Sequence, residues 1–156
     1  MSQLKVNSII PVAGVPTGGG GGVTQVQKNA TISTFSTNST SYADITNCTL
    51  NITPSSSSNL YIATFSANIV TALASSHNQQ TRLKMFIDST QIGGDSTYAA
   101  ESSSGSLQFR GAANMRAVGT FGTTNQVTFK MTAATAVTQS TVYIYQPTLI
   151  VMEVSA

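Results

Sequence analysis

Tryptophan is absent from this chain, and cysteine and histidine occur once each. A lone cysteine, Cys48, forms no intrachain disulfide, which excludes a disulfide-stapled scaffold. It shares one face of an extended segment with Leu50 and Ile52 and is expected to be a buried small hydrophobe. One cysteine and one histidine fall short of the three or four ligands that zinc requires. The histidine, His77, lies in the polar stretch Ser75-Ser76-His77-Asn78-Gln79, where a solvated loop residue is the expectation. Serines are so common that one beside His77 carries no information, and no Gly-x-Ser-x-Gly elbow frames any of them.

Charge is scarce as well. Only 8% of residues are Asp, Glu, Lys or Arg, against roughly 25% in ordinary soluble domains. The five carboxylates, Asp44, Asp88, Asp95, Glu101 and Glu153, lack calcium-loop spacing. Asp88 and Asp95 read as turn caps, and nothing beyond Asp88, Asp95 and Glu101 could supply the carboxyl pair of a glycosidase. Lys5, Lys28, Arg82, Lys84, Arg110, Arg116 and Lys130 are scattered, so no nucleic-acid partner is expected. No apolar run reaches 18 residues, so no membrane insertion is expected, nor is a targeting segment. No catalytic residue, metal or cofactor emerges, and the chain is expected not to be an enzyme.

What the chain does have is hydroxyls. Serine and threonine together exceed a quarter of it, while hydrophobic residues make up 40%. A globular core is therefore affordable, and a surface of hydroxyls suits a protein covered by copies of itself or by partners. Four Asn-x-Ser/Thr triplets, at Asn29, Asn38, Asn47 and Asn51, are the chance product of this composition.

Five consecutive glycines, Gly18, Gly19, Gly20, Gly21 and Gly22, separate an apolar arm from the rest. The arm, residues 1–17, carries Leu4, Val6, Ile9, Ile10, Val12 and Val15. The glycines end in Val23-Thr24-Gln25 rather than Gly-Lys-Ser/Thr and open no helix, so they form a tether and not a phosphate loop. Burying Leu4, Val6, Ile9 and Ile10 is worth on the order of 6–10 kcal/mol, at about 1.5–3 each. Ordering a dozen residues costs a similar amount. Such an arm is expected to become fixed only on another protein, by strand addition or in a groove.

Residues 18–30 read as a glycine-rich linker and lead-in strand, and 31–156 as the body. There, apolar residues recur with a period of two, the mark of half-buried strands. Tyr61, Ala63, Phe65, Ala67 and Ile69 alternate with Leu60, Ile62, Thr64, Ser66 and Asn68. Val127, Phe129 and Met131 form an inward face. Tyr42 and Ile45 are assigned to one segment, and Cys48, Leu50 and Ile52 to the next. Asp88 to Gln91 predicts a tight hairpin, Gly93-Gly94-Asp95 a turn, Gly111 to Asn114 an interruption, Gly122 to Asn125 a turn and Pro147 a break. About eight short strands without an amphipathic helix predict an all-β, jelly-roll-like antiparallel β-sandwich with an extended N-terminal arm. The last strand is apolar on both faces, and Tyr143, Tyr145, Ile150, Met152 and Val154 are expected to form an oligomer seam.

The stretch Ser2-Gln3-Leu4-Lys5-Val6-Asn7-Ser8-Ile9-Ile10-Pro11-Val12 before the glycines resembles the amino-terminal pattern of small virion proteins of marine, cyanophage-like tailed phages. Phe35-Ser36-Thr37, Tyr42-Ala43-Asp44-Ile45, Leu50 through Asn59, the hairpin Ile87 to Gly93 and the closing Leu149 to Val154 are similar to the same group. The resemblance implies a non-enzymatic structural part of the virion, near the tail fibre or another appendage, with a sandwich that forms homotrimers and contacts other phage proteins. It brings no catalytic residues with it. Arm plus sandwich also suits a capsid decoration protein, which copy number per particle would distinguish. A host receptor- or carbohydrate-binding module is the other alternative, with loops Ser75 to Gln79, Asp95 to Gly105 and Gly122 to Asn125 around Tyr98 as a stacking platform. The lack of tryptophan weighs against a strong sugar site. A hydrolase on those loops would need His77 or the set Asp88, Asp95 and Glu101.

Overall fold

The computed structural model describes residues 22–29, 33–73, 79–100 and 108–156. The arm, Gly18 to Gly21, His77 and Glu101 lie outside the described residues, as do most of the loop Ser75 to Gln79 and the stretch Glu101 to Gly105. Nine strands follow in order: β1 (Val23–Lys28), β2 (Phe35–Thr37), β3 (Ala43–Ile52), β4 (Leu60–Leu73), β5 (Gln79–Ile87), β6 (Thr90–Ala100), β7 (Gln108–Thr120), β8 (Val127–Thr135) and β9 (Ser140–Val154). All pairings are antiparallel.

The strands form two sheets. One runs β1-β9-β4-β7, and the other β3-β8-β5-β6. β4 pairs along the whole length of β9, so β1 and β2 share the opposite edge, β1 against Ile150–Val154 and β2 against Val142–Ile144. The nine strands thus fill eight places, four to a sheet. Sequence neighbours lie in opposite sheets except at the β5–β6 hairpin and along the β1–β2 edge. This is the strand order of a jelly roll, two Greek keys wound together. The expectation of an all-β, jelly-roll-like antiparallel sandwich is met.

The period-two faces meet between the sheets. Tyr61, Ala63, Phe65, Ala67 and Ile69 of β4 face Leu83, Met85, Val127, Phe129 and Met131, all buried. Tyr61, Phe121 and Phe129 pack edge to face, with ring centroids 5.3–6.2 Å apart, the arrangement their quadrupoles favour. A Cβ on Gly119 would stand 2.5 Å from the Tyr61 hydroxyl, so only glycine fits beside that ring. Cys48 is fully buried, and burial pushes its thiol up to about 12, leaving an inert core residue as expected.

Four local expectations are corrected, three of them at an irregularity within a strand. Tyr42 precedes and Ile45 to Ile52 belong to a single strand, β3. Asn47, at φ 62°, inserts a kink between Asp44 and Thr49 that lets Ile45 and Cys48 both point inward despite their odd spacing. Gly93-Gly94-Asp95 is no turn but an irregular section of β6, with Gly93 at φ 70°. Gly111 to Asn114 does not interrupt β7, which pairs with β4 without a break. Pro147 does not end a strand either: β9 passes through it, with a register shift opposite Ser66 and Asn68. The hairpin at Asp88-Ser89 and the turn at Gly122 stand as read.

Candidate functional site

The outer face of the β1-β9-β4-β7 sheet holds the most unusual chemistry, and strand register builds it row by row. The first row is Val23, Val154, Leu60 and Thr120; the second is Val26, Met152, Ile62 and Val118. The third, Lys28, Ile150, Thr64 and Arg116, is polar at its ends. Eight apolar side chains therefore stand together across four strands on a face turned to solvent. Val23, Val26 and Val118 are 56%, 54% and 55% exposed. A soluble sheet normally alternates apolar-in with polar-out, and this contiguous outer apolar patch departs from that pattern.

Ile150, Met152 and Val154, expected at an oligomer seam, lie in the middle of this patch, half-buried. The patch also holds Val23, Val26, Leu60, Ile62 and Val118, which sequence reasoning did not bring together. Their only signal was apolar residues at outward positions of four separate strands, and register is needed to align them. Tyr143 and Tyr145 lie on the same face but further along β9, where they stack on one another with centroids 6.3 Å apart and planes 22° from parallel.

Between the two groups β9 bulges at Gln146-Pro147. Gln146 takes φ 52°, a left-handed conformation uncommon for a residue other than Gly, Asn or Asp. Asn29, just past the end of β1 and 3% exposed, holds the bulge in place. Its amide donates to the Pro147 carbonyl (2.9 Å) and the Asn47 carbonyl (3.2 Å), while its Oδ1 accepts from the Leu149 amide at 2.8 Å. The backbone groups that the bulge removes from the ladder are thus satisfied by one side chain from far earlier in the chain.

At the near end of the patch β1 is pinned by a buried carboxylate. Glu153 points inward and accepts from the Ser55 amide and hydroxyl (2.8 Å each), from the Asn59 side chain (2.6 Å) and from Gln25 of β1. Burial by itself raises its pKa, but the bonds from Gln25, Asn59 and Ser55 outweigh it and hold the acid down at about 2. The serine-rich loop after Pro54 therefore has a structural task that its composition did not announce. The Gly22 carbonyl accepts from the Ser155 amide at 3.2 Å, which fixes Gly22, the last of the five glycines, at the Val23–Val154 corner of the patch.

The remaining candidates have structural partners. Asp88 Oδ1 accepts from the Thr128 amide (2.9 Å), so it caps its turn across to β8. Asp95 pairs with Lys84 at 3.4 Å and accepts from Gln91. Lys130 meets Asp44 at 3.1 Å. Tyr98 is not a free stacking platform: it packs against the core and its hydroxyl accepts from the Asn114 amide. Asp95 to Ala100 is strand rather than loop. No group of three metal-ligating side chains occurs among the described residues, and no described helix is long and apolar enough to cross a membrane.

No protein-family model matches this chain, and neither does any curated protein. Among solved structures it is similar to capsid protein VP2 of infectious bursal disease virus. A mutant VP2 in T=1 particles shares 12% identity over 83% of this chain and 35% of that one, with a TM-score of 0.40. The structure of the Gx strain shares 13% over 96% and 42%, with a TM-score of 0.39. The VP2 subviral particle shares 15% over 85% and 37%, also at 0.39. The chain spans between a third and a half of the length of these proteins.

Proposed function

We propose that this chain is a non-enzymatic structural component of a tailed-phage virion, in a tail fibre or appendage. Its jelly roll associates as a homotrimer, and its arm, Leu4 to Val15, anchors it to a neighbouring virion protein. One observation carries the reading: the apolar patch that crosses four strands of an outward face, with the tether rooted at its corner. A monomer that kept this face in water would risk aggregation, whereas copies packed about an axis would bury it. The scarcity of charge and the abundance of hydroxyls fit a body enclosed by its own kind. We place the seam on the apolar rows around Ile150, Met152 and Val154, and leave Tyr143 and Tyr145 beyond the bulge outside it.

Sedimentation of the purified body and of a Met152→Glu variant tests the seam. A trimer that the variant converts to a folded monomer supports the reading; a wild-type monomer at micromolar concentration rejects it. Deleting residues 1–22 tests the anchor: the truncated protein should still trimerise yet fail to enter particles. Normal incorporation without the arm would remove the anchor from the account. A second reading, a module that holds a host-surface ligand, draws on the polar half of the same face.

A further inference from the structure

Beyond the Gln146 bulge the outer face changes character within one row. Two depressions of about 370 and 800 Å³ open there and meet at Asn68 and Gln146, a size suited to a small organic ligand. Register places Asn114 and Thr148 on either side of Ser66, and Ala112 and Tyr145 on either side of Asn68. Ser66 and Ala112 are short, so the floor is low. Tyr145 stands as a wall, 38% exposed and braced by its stack on Tyr143. Arg110 closes one end, with one guanidinium nitrogen on Gln108 at 3.0 Å and its other donors without a partner among the described residues.

The side-chain amides of Asn68, Asn114 and Gln146 have no hydrogen-bond partner among the described residues. Each offers a donor and an acceptor side by side. Three such groups around an aromatic wall, with a single positive charge, match a ligand with many neighbouring hydroxyls and one apolar face. A phosphate-rich ligand would call for more cations, and an apolar one would leave the amides unsatisfied. Gln146 reaches this position only through its left-handed backbone, which Asn29 holds in place. Strain kept by a dedicated support is characteristic of functional positions.

We propose that this depression binds saccharides. A pyranose lies with its apolar face on Tyr145 and its hydroxyls on Asn68, Asn114 and Gln146, and Arg110 favours a unit bearing a carboxylate, such as a uronic acid. So open a site holds one such unit weakly, with a Kd on the order of millimolar. Three sites on one assembly would raise the apparent affinity by roughly 10²–10⁴. Only that gain rests on the trimeric reading; the site itself lies within one chain.

The test is an array of neutral and uronate-containing oligosaccharides probed with the full chain, followed by ligand-observed NMR titration with the best binder in monovalent form. Tyr145→Ala and Asn68→Ala are each expected to weaken binding about tenfold without changing Tm. Arg110→Gln is expected to weaken only the uronate-bearing ligands. Met152→Glu, in the apolar half, should abolish the array's multivalent gain and leave monovalent binding intact, so that a failed seam and a failed site give different results. Retention of no oligosaccharide, or unchanged monovalent binding by Tyr145→Ala and Asn68→Ala, overturns the proposal. Unchanged binding of uronates by Arg110→Gln overturns the carboxylate preference.

Discussion

On either side of Gln146 the same sheet face follows two different rules. Toward the ends of β1 and β9 it is apolar and broad, and its residues are near neighbours along ladders whose one irregularity there is a register shift between Val23 and Gln25 of β1. Past the bulge it is amide-lined, aromatic and hollow. One inserted residue in β9 separates them. A bulge re-aims side chains and breaks pairing locally, so a single sheet carries both a smooth apolar surface and a polar recess. Where the strands stay in step across the sheet the face is flat and apolar, while the bulge that Asn29 supports leaves a polar hollow.

The sharpest way to break this contrast is to charge the smooth half. Val118→Glu combined with Met152→Glu buries unpaired carboxylates in any contact made there, and should weaken self-association by roughly a thousandfold or more. Both positions face outward, so sedimentation should show loss of assembly while thermal unfolding changes little. Asn29→Ala attacks the boundary itself. It leaves the Leu149 amide and Pro147 carbonyl without their partner, and is expected to lower stability by about 1–3 kcal/mol in denaturant titration.

Acid sharpens the comparison from the other side, because Glu153 fastens β1, and with it Val23 and Val26, to the body. Its folded pKa of about 2 lies below its value in an unfolded chain. Its contribution is therefore complete above about pH 4.5 and is lost as the pH falls toward 2. Urea midpoints should drop over that window, and Glu153→Gln should flatten the drop. The smallest expected effect is Gln146→Gly. Relief of the left-handed strain should raise stability by about 0.5–1 kcal/mol, while saccharide binding in the hollow half weakens about tenfold.

The regular parts of the molecule were legible in the sequence. The alternation from Leu60 to Asn68 assigned the inner and outer faces of β4, and Val127, Phe129 and Met131 gave the inward face of β8. A jelly roll followed from strand number and spacing. Three of the places where reading failed share one cause, whereas Gly111 to Asn114 simply continues β7 in unbroken pairing with β4. Asn47, Gly93 and Gln146 each adopt a positive φ inside a strand, so a local rule that treats Asn, Gly and Pro as punctuation mistakes a bulge for an end. What keeps such a strand going lies elsewhere: Asn29 reaches Pro147 across more than a hundred residues. The apolar patch was half legible for the same reason. The alternate residues of β9 pointed to it, but Val118 and Val26 join it only through pairing. The polar recess gave no local signal, since its amides come from three strands, and the one aromatic favoured from sequence, Tyr98, is engaged elsewhere.

The way β1 is fastened has a mechanical consequence. A load applied at Gly22 along the strand pulls β1 lengthwise against β9, so its five paired positions resist together in shear instead of opening one after another like a zip. The Gln25–Glu153 contact reinforces the end nearest the load, and Asn29 bolts the far end to the bulge. A pull at the head of β1 is therefore borne by the whole strand and by both of its fastenings at once.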